Sequence, residues 1–288
     1  MNTSNYTIRT LEREDLDQMY STFLEAFSDY QINFNLSKEQ FDRRFLQKLN
    51  INFDLSVGAF FEGKLVGFVF HAVNQYRSET MLYNGGTGVI PKHRGHGLVA
   101  KMYQLIKSLM IENRIERSVL EVITKNEKAI KAYEKVGFEA LRVFKCFKLT
   151  KKLTERLNPS ILINKKEKPV FNDYLNLVDY EPSFIDTFPQ LENNPNELVL
   201  EAYTDNQLAG FIVFQPLLGR ISQLGVDKKL RKQGIGYSLI KETQELSNNR
   251  QLTLLNVDEE EFDMINFLTN RGFENQIDQY EMFLKTSE

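Results

Sequence analysis

The sequence has a single cysteine and only three histidines in 288 residues. Cys146 has no second thiol in the chain with which to form a disulfide, and its aromatic neighbours indicate a half-buried strand position rather than a reactive thiol. The three histidines, His71, His93 and His96, do not combine with the distant Cys146 into a recognisable ligand set. We therefore expect neither a disulfide nor a metal site.

The sequence also lacks any long apolar run. The longest candidate, residues 66–73, is interrupted by His71 and falls far short of the roughly 20 residues that cross a bilayer. The first 20 residues alternate in charge and contain no apolar core of the length that an export signal requires. These absences predict a cytoplasmic protein with no membrane partner.

No strong charge excess is present either. The net charge is −3 and the isoelectric point is about 5.8, so the chain as a whole does not attract nucleic acid or other polyanions. A composition of 42% apolar and 26% charged residues is that of a globular protein. At 288 residues, two domains are favoured over one.

Three short patterns occur twice and in the same order. A hairpin pattern at residues 55–70 reappears at 198–214, and a strand followed by a basic glycine loop at residues 87–99 reappears at 224–236. Each copy ends in a Gly-Phe pair, at residues 137–138 and 272–273. Ordered internal repeats predict two similar domains.

The predicted boundary lies where charge clusters and Pro159 interrupt the apolar pattern. The sequence thus predicts an N-terminal domain over 1–150, a linker over 151–167 and a shorter C-terminal domain over 168–288. Helix signals support this frame: Asp15 is placed to cap a first helix, and Ser37 with Gln40 forms a capping-box pattern before a second.

The glycine loop of the first copy, Arg94-Gly95-His96-Gly97, stands between a predicted strand and a predicted helix. Backbone N–H groups and the positive end of the helix dipole meet at such a point, which suits a phosphate or pyrophosphate. Arg94 either contacts the phosphate or holds the loop in shape. A plain reading, in which the glycines only turn the chain, also accounts for one isolated loop.

With two copies, the chain resembles the GNAT superfamily of acetyl-CoA-dependent N-acetyltransferases. The signature of that family is Arg or Gln, two residues, Gly, one residue, and Gly or Ala. The second copy matches it with Arg231, Gly234 and Gly236, whereas the first has Arg94 and Gly97 but Val99 at the last position. The resemblance implies an α/β fold of two tandem domains, each a mixed, splayed and mostly antiparallel sheet flanked by helices.

The resemblance also implies the residues that bind acetyl-CoA, with the backbone of Val89 and Ile90 pairing with the pantetheine arm. The implied set is Val89, Ile90, Arg94, Gly95, His96, Gly97, Leu98, Val99 and Asn126 in the first copy, and Arg231, Gly234 and Gly236 in the second.

By the same resemblance, Tyr133 is the catalytic acid that protonates the departing thiolate, and Asn126 steadies the cofactor arm. The second copy has Leu268 and Glu261 at these positions, and an acidic run over 258–261. Leucine cannot donate a proton, and carboxylates repel a polyphosphate. We therefore expect the first domain to be catalytic and the second to be degenerate.

The implied activity is transfer of an acetyl group from acetyl-CoA to a primary amine of a small molecule or protein. Two alternatives are a non-catalytic acyl-CoA sensor or interaction module, and transfer of longer acyl or aminoacyl groups. The residues leave the general base open among Glu79, Tyr83 and Glu121. The resemblance implies acceptor contacts from residues 24–55 and 74–84, and the internal duplication favours a monomer over a dimer.

Overall fold

A computed structural model of the chain describes residues 5–29, 35–192, 194–248 and 250–286. The chain divides into two compact units. Unit 1 comprises Met1–Leu141 together with Glu281–Glu288, and unit 2 comprises Arg142–Tyr280. The domain boundaries given by the sequence pattern stay a prediction.

Unit 1 is built on a mixed sheet. Its strands are β1 (Tyr6–Thr10), β2 (Val57–Phe61), β3 (Lys64–Tyr76), β4 (Glu79–Val89) and β5 (Arg117–Ile123). Strands β1 to β4 pair antiparallel in chain order, and β5 pairs parallel with β4. Its helices are α1 (Leu16–Ala26), α2 (Lys38–Phe41), which continues as a π-helix over Asp42–Lys48, α3 (Leu98–Glu112) and α4 (Glu127–Val136).

Phenylalanines fix α1 and the π-helix on one face of this sheet. The ring of Phe23 in α1 lies 5.2 Å from that of Phe45 in the π-helix, and Phe45 lies 5.3 Å from Phe70 of β3. All three are almost fully buried, and each such side chain stabilises the fold by about 1.5–3 kcal/mol. A Cβ at Gly88 of β4 would lie 3.0 Å from Ala26, so α1 packs directly on the end of β4.

Helix α3 covers the opposite face. His71 follows Phe70 in β3 and therefore points to the other side of the sheet, where its ring lies 6.3 Å from that of Tyr103 in α3. Met102, Tyr103 and Ile106 are all buried beneath the helix. Strand β4 thus lies between two helical layers, which fix the position of the loop that follows it.

The last residues of the chain complete unit 1. Glu281 is fully buried and accepts a hydrogen bond of 2.7 Å from the hydroxyl of Tyr76. The N–H of Thr286 donates to the carbonyl of Glu116 at 2.9 Å. A strand segment from the far end of the sequence therefore satisfies polar groups of the N-terminal unit.

Unit 2 repeats the mixed sheet with fewer helices. Its strands are β6 (Glu139–Leu149), β7 (Leu162–Lys166), β8 (Leu198–Thr204), β9 (Gln207–Gln215), β10 (Arg220–Val226), β11 (Leu252–Asp258) and β12 (Glu274–Lys285), of which β6 and β12 extend beyond the division between the units. Strands β7 to β10 pair antiparallel, β11 pairs parallel with β10, and β6 pairs antiparallel with β11. Its helices are α5 (Phe188–Leu191), α6 (Ile235–Leu246) and α7 (Phe262–Asn270). Two mixed sheets with flanking helices confirm the predicted fold class.

Local predictions had mixed outcomes. The capping box of Ser37 and Gln40 is present, as expected. Cys146 lies in a strand, β6, as expected, but it is buried rather than half-buried. Helix α1 does begin after Asp15, but the Asp15 carboxylate does not cap it. Instead it binds the guanidinium of Arg9 at 2.7 Å and accepts the N–H of Glu12 at 2.9 Å. Among the residues that the structure describes, no helix is both long and apolar enough to cross a membrane.

His71 predicts a defined pH dependence of stability. Burial lowers the pKa of its imidazole from 6.5 to about 4, and Nδ1–H donates to the carbonyl of Leu55. Below pH 6.5 the unfolded chain takes up a proton that the folded chain refuses, so this group's stabilising contribution is complete above pH 6.5 and declines by about 3 kcal/mol in total as the pH falls to 4. His71→Asn, which keeps a donor for Leu55, should take up about one proton fewer on unfolding in this range. Denaturant titrations at pH 7 and 4.5 give the free energy of unfolding, which should fall less between the two pH values in His71→Asn than in the wild type. An equal fall in both proteins would contradict the prediction.

Candidate functional site

Strands β4 and β5 separate before they end. Their parallel pairing runs from Met81 with Arg117 to Asn84 with Leu120, while β4 continues to Val89 and β5 to Ile123. We call the space between residues 85–89 and 121–123 the first fork.

The backbone of β4 faces this fork. Successive residues of an antiparallel strand direct their N–H and C=O groups alternately to the two sides. The N–H of Ile90 bonds to the carbonyl of Val66 in β3 at 2.9 Å, so the backbone groups of Val89 and Thr87 point away from β3 and into the first fork. Thr87 and Val89 are both half-buried, which leaves this edge of the strand accessible.

The glycine loop lies directly beyond the fork. A single 3-10 turn, Pro91–His93, leads to Gly97, the N-cap of α3, with φ of 68°. This left-handed conformation favours glycine. A Cβ built at Gly95 or Gly97 would meet no atom within 4 Å, so the loop is open above the first N–H groups of α3, where the positive end of the helix dipole attracts anions.

Arg94 holds the loop in shape. Its Nε donates to the carbonyl of Val89 at 3.0 Å, and its terminal nitrogens bind the Asp29 carboxylate at 2.5 and 2.8 Å. A further bond of 2.8 Å reaches the carbonyl of Ala26 at the end of α1. The guanidinium lowers the pKa of Asp29 mainly through its hydrogen bonds. Of the two roles predicted for Arg94, the structure displays the second.

The other predicted residues of the first loop have varied environments. His93 Nδ1 lies 2.8 Å from the hydroxyl of Tyr6, and His96 is exposed, with Nδ1 3.1 Å from the carbonyl of Arg94. Leu98, the first residue of α3, is buried, and Val99 is half-buried. Within the described ranges, no group of three or more His, Cys, Asp and Glu side chains is arranged to hold a metal ion.

Asn126 and Tyr133 lie on α4. Asn126 is its N-cap, and the side-chain oxygen accepts the N–H of Ala129 at 3.2 Å. Tyr133 follows seven residues later, two turns along the same face, and is half-buried with its ring 5.7 Å from that of Phe138. It also neighbours Tyr103, whose pKa is raised mainly by burial and further by Tyr133.

A tyrosine and a carboxylate meet where the first fork opens. The hydroxyl of Tyr83 donates a short hydrogen bond to Glu121. Tyr83 pairs with Val119, so Glu121, two residues further on, shares its face of the sheet. The adjacent Asn84 points the other way and donates to the hydroxyl of Tyr103 in α3 at 2.7 Å. Glu121 and Tyr83 therefore lie on the side of α1, opposite to α3.

The third candidate for a base, Glu79, lies at the far end of β4. Its carboxylate forms an ion pair of 3.3 Å with Arg117. Both side chains are about 40% exposed, at 43% and 40%, and the pair lies at the end of the parallel strands remote from the glycine loop. Of the three candidates, Tyr83 and Glu121 lie at the fork.

Unit 2 contains the same arrangement. Strands β10 and β11 are paired only at Arg220 with Thr253 and Ile221 with Leu254, and we call the space between residues 222–226 and 255–258 the second fork. Arg231 repeats the bonds of Arg94, since it donates to the carbonyl of Val226 at 3.3 Å and to Asp179 at 2.8 Å. The two glycine loops are therefore structural equivalents.

The second loop is more crowded than the first. Gly234 is the N-cap of α6 with φ of 93°, and a Cβ there would lie 3.9 Å from Ile161 and 4.0 Å from Asn158. A Cβ at Gly236 would lie 3.0 Å from the ring of Phe267. Side chains of unit 2 itself therefore approach the second loop more closely than any atom approaches a Cβ at Gly97.

Helix α7 also differs from α4. Glu261 is its N-cap, as Asn126 is for α4, and burial together with nearby Asp179 and Asp258 raises the pKa of its carboxyl. Leu268 is fully buried. In the acidic run, Asp258 pairs with Arg142 at 3.0 Å and Glu259 with Lys145 at 3.5 Å, so these two charges serve ion pairs within unit 2.

Residues 180–186, which we call the insert, contact both strands of the second fork. The Tyr180 hydroxyl lies 3.4 Å from the backbone N and from the carbonyl O of Leu224 in β10. The hydroxyl of Ser183 accepts from the Asn256 amide of β11 at 3.1 Å, and Asp186 binds Arg220 of β10 at 2.8 and 2.7 Å.

The sequence pattern did not lead us to Asp29, Asp179 or Tyr180. A signal exists, because an Asp-Tyr pair occurs at residues 29–30 and 179–180 as well as at 173–174, and both Asp29 and Asp179 bind the loop arginine of their own unit. Tyr30 lies outside the described residues, as does the rest of the segment 30–34.

Comparisons with known proteins agree with the duplicated fold. The model of the acetyltransferase (GNAT) family matches residues 16–138 and again 166–273. No curated protein matches the chain.

Similar solved structures span the full chain. A GCN5-related N-acetyltransferase from Sphaerobacter thermophilus has 14% identity and a TM-score of 0.74, covering 99% of this chain and 96% of its own. A putative acetyltransferase from Pyrococcus horikoshii has 16% identity and a TM-score of 0.71, covering 100% and 92%. A tandem GNAT protein from the clavulanic acid biosynthesis pathway has 13% identity and a TM-score of 0.75, covering 98% and 99%. At these identities the likeness is one of fold.

Proposed function

The chain belongs to the acetyltransferase (GNAT) family, since the family model matches well over half of it in two segments, and we propose that unit 1 transfers an acetyl group from acetyl-CoA to a primary amine. Family membership supports acyltransferase activity in general. The acetyl donor, the amine acceptor and the assignment to unit 1 are the specific content of the proposal.

The open first fork carries this proposal. Acetyl-CoA is an elongated ligand with a pyrophosphate, an amide-containing arm and a thioester. The glycine loop offers open space and helix N–H groups for the pyrophosphate. The backbone of Thr87 and Val89 points into the fork, where the amides of the arm would pair as a strand does. The residues present therefore fit the group.

Arg94 contributes to binding through the loop. Its bonds to Asp29, Ala26 and Val89 hold the loop between α1 and β4, so the N–H groups are in place before an anion arrives. We assign direct phosphate contact to the backbone around Gly95 and Gly97 rather than to this side chain.

Two protons must move during the transfer, one from the amine and one to the sulphur. Acetyl-CoA supplies the acetyl group as a thioester. The Glu121 carboxylate, oriented by the Tyr83 hydroxyl, accepts the amine proton on the α1 side of the sheet. The Tyr133 hydroxyl on α4 donates its proton to the departing sulphur. Because the proton acceptor and the proton donor lie on different elements around one fork, the amine can attack from one direction while the thiolate departs in another.

The acceptor is proposed as a class, the primary amines, rather than as one compound. Residues 24–55 and 74–84 stay the predicted source of its contacts, although Phe41 in the first segment is fully buried in the core. A non-catalytic acyl-CoA module would bind acetyl-CoA without turning it over with any amine, and an enzyme for longer chains would prefer them in direct competition. A cytoplasmic monomer is part of the same proposal.

The binding site is tested by placing a charge in the loop. Gly97→Asp adds a carboxylate at the N-cap of α3, where Asp is one of the non-glycine residues that adopt the left-handed conformation most readily and where its charge repels a pyrophosphate. We expect the Kd for acetyl-CoA to rise at least about tenfold, which is 1.4 kcal/mol. Isothermal titration calorimetry measures the change.

Two controls accompany this variant. Gly97→Asn has the same shape without the charge and should change the Kd less than Gly97→Asp does. Gly234→Asp makes the matched change at the N-cap of α6 and should leave binding unchanged. Loss of binding in Gly234→Asp with normal binding in Gly97→Asp would move the site to unit 2.

A further inference from the structure

We propose that unit 2 is filled by its own chain: the insert occupies the second fork and makes the backbone contacts that an acyl-CoA arm would make there, so that the protein has one acyl-CoA site rather than two. This inference rests on the proposed function only in taking acyl-CoA as the ligand of the first fork. It accounts for a unit that keeps the glycine loop and the loop arginine but not the tyrosine of α4.

The backbone of Leu224 faces the second fork. The repeat aligns Leu224 with Thr87, and the N–H of Asp227 bonds to Ala209 of β9 at 2.9 Å, so the backbone groups of Leu224 point away from β9 and into the second fork. The Tyr180 hydroxyl lies 3.4 Å from both groups. A hydroxyl can accept from the N–H and donate to the carbonyl, as an amide of a bound arm would.

A buried ion pair anchors the insert. Asp186 and Arg220 form a bidentate pair whose side chains are only 3% and 10% exposed. The Gln223 side chain adds a short bond to the carbonyl of Asp186. A buried pair of this kind requires good geometry and fixes one arrangement of the chain, so the insert is a built part of unit 2 rather than a loop lying on its surface.

The insert is also bound from the other side of the fork. Asn256 of β11 has φ of 59°, at a register shift in the pairing of β11 with β6, and its amide donates to Ser183. Arg142 of β6 donates to the carbonyls of Glu181 and Pro182 at 3.1 and 3.4 Å. The insert is thus bound from β10, β11 and β6.

Little space is left between the insert and the second fork. The cavity lined by residues of both is about 10 Å³, the room that about one water molecule needs. Residues 222–225 of β10 are all buried, whereas residues 85–87 of β4 are half-buried. At the loop end, Phe267 packs against Gly236. The arm end of the path is therefore occupied in unit 2, and the loop end is more enclosed than in unit 1.

Stoichiometry tests the proposal. Acetyl-CoA titrated into the wild-type chain should give one site, the Gly97→Asp chain should show none of comparable affinity, and the Gly234→Asp chain should keep one. Two wild-type sites, one of which is lost in Gly97→Asp and the other in Gly234→Asp, would overturn the insert proposal and leave the function of unit 1 intact. A single wild-type site that survives in Gly97→Asp and is lost in Gly234→Asp would overturn both proposals. No binding to the wild type would overturn the proposed function itself, and with it the exclusion of acyl-CoA by the insert.

The Tyr180 contact has its own readout. Tyr180→Phe removes the hydroxyl, so amide hydrogen exchange in a peptide covering Leu224 should accelerate by about tenfold, while the peptide covering Thr87 does not change. Tyr203→Phe is the control, because it removes a hydroxyl of unit 2 that binds Glu201 instead and should leave Leu224 unaffected. Unchanged exchange at Leu224 in Tyr180→Phe, or equal acceleration in Tyr203→Phe, would contradict the proposal.

Discussion

Glu121→Gln and Tyr133→Phe are each expected to lower kcat for acetyl transfer by about 10²- to 10⁴-fold, the contribution typical of a positioned proton acceptor or donor. Glutamine keeps an oxygen that accepts the Tyr83 hydroxyl but cannot take up the amine proton. Phenylalanine keeps the ring beside Phe138 but has no proton to give. Release of free thiol from acetyl-CoA, with a panel of an amino sugar, a polyamine and a lysine peptide as acceptors, measures both.

Tyr103→Phe separates catalysis from packing. This neighbouring tyrosine also loses a hydroxyl, which binds the buried Asn84 at 2.7 Å, so the variant should be less stable by about 1–3 kcal/mol but should keep kcat within a few fold. Calorimetric Kd values for acetyl-CoA should stay near wild type in all three. A Tyr133→Phe enzyme with normal kcat, or one whose only defect is weaker acetyl-CoA binding, would remove Tyr133 from the proposed chemistry.

Asp186→Ala is expected to lower the free energy of unfolding by about 3–5 kcal/mol, because it leaves the buried guanidinium of Arg220 without its carboxylate. The double variant Asp186→Leu/Arg220→Met removes both charges and should recover much of this loss. Urea unfolding monitored by circular dichroism gives the free energies.

An exposed pair in the same unit supplies the control for Asp186→Ala. Lys165 and Glu167 lie 3.1 Å apart with side chains 54% and 77% exposed, and Glu167→Ala should change stability by less than about 1 kcal/mol. If both alanine substitutions lowered the free energy of unfolding equally, burial of the Asp186–Arg220 pair would make no difference to its contribution to stability.

The fold was predictable because its signals repeat within the chain. Each copy of the loop carries an arginine three residues before a glycine, and both glycines have the left-handed conformation at a helix N-cap. A single such loop is a weak signal, but two at matching places in two hairpin-containing repeats point to a duplicated domain. The capping box at Ser37 was predictable for a related reason, since both of its partners lie within four residues.

The partners of the loop arginines were not predictable in the same way. Arg94 binds Asp29 and Arg231 binds Asp179, pairs that are 65 and 52 residues apart. Only the folded sheet brings them together. The prediction that Asp15 caps α1 was wrong for a local reason: its carboxylate binds the guanidinium of Arg9 and the N–H of Glu12, and residue types alone do not distinguish a cap of α1 from a bond to the turn before it.

The closure of the second fork was likewise hidden. The retained signature of Arg231, Gly234 and Gly236 suggests an intact binding site. The residues that close the second fork and pack against the loop, however, come from the insert and from α7. Tyr180 and Phe267 are ordinary aromatic residues in the sequence. Their effect depends on which backbone they contact, and that is a property of the tertiary structure.

The membership of residues 281–288 in unit 1 sets an order of events during synthesis. Domains generally fold as the chain emerges from the ribosome, the N-terminal one first. Here all of unit 2 emerges before the final segment of unit 1, whose Glu281 and Thr286 bond to Tyr76 and Glu116. The unit that is begun first is therefore finished last, and a nascent or prematurely terminated chain would expose an incomplete sheet edge in the half of the protein to which we assign catalysis.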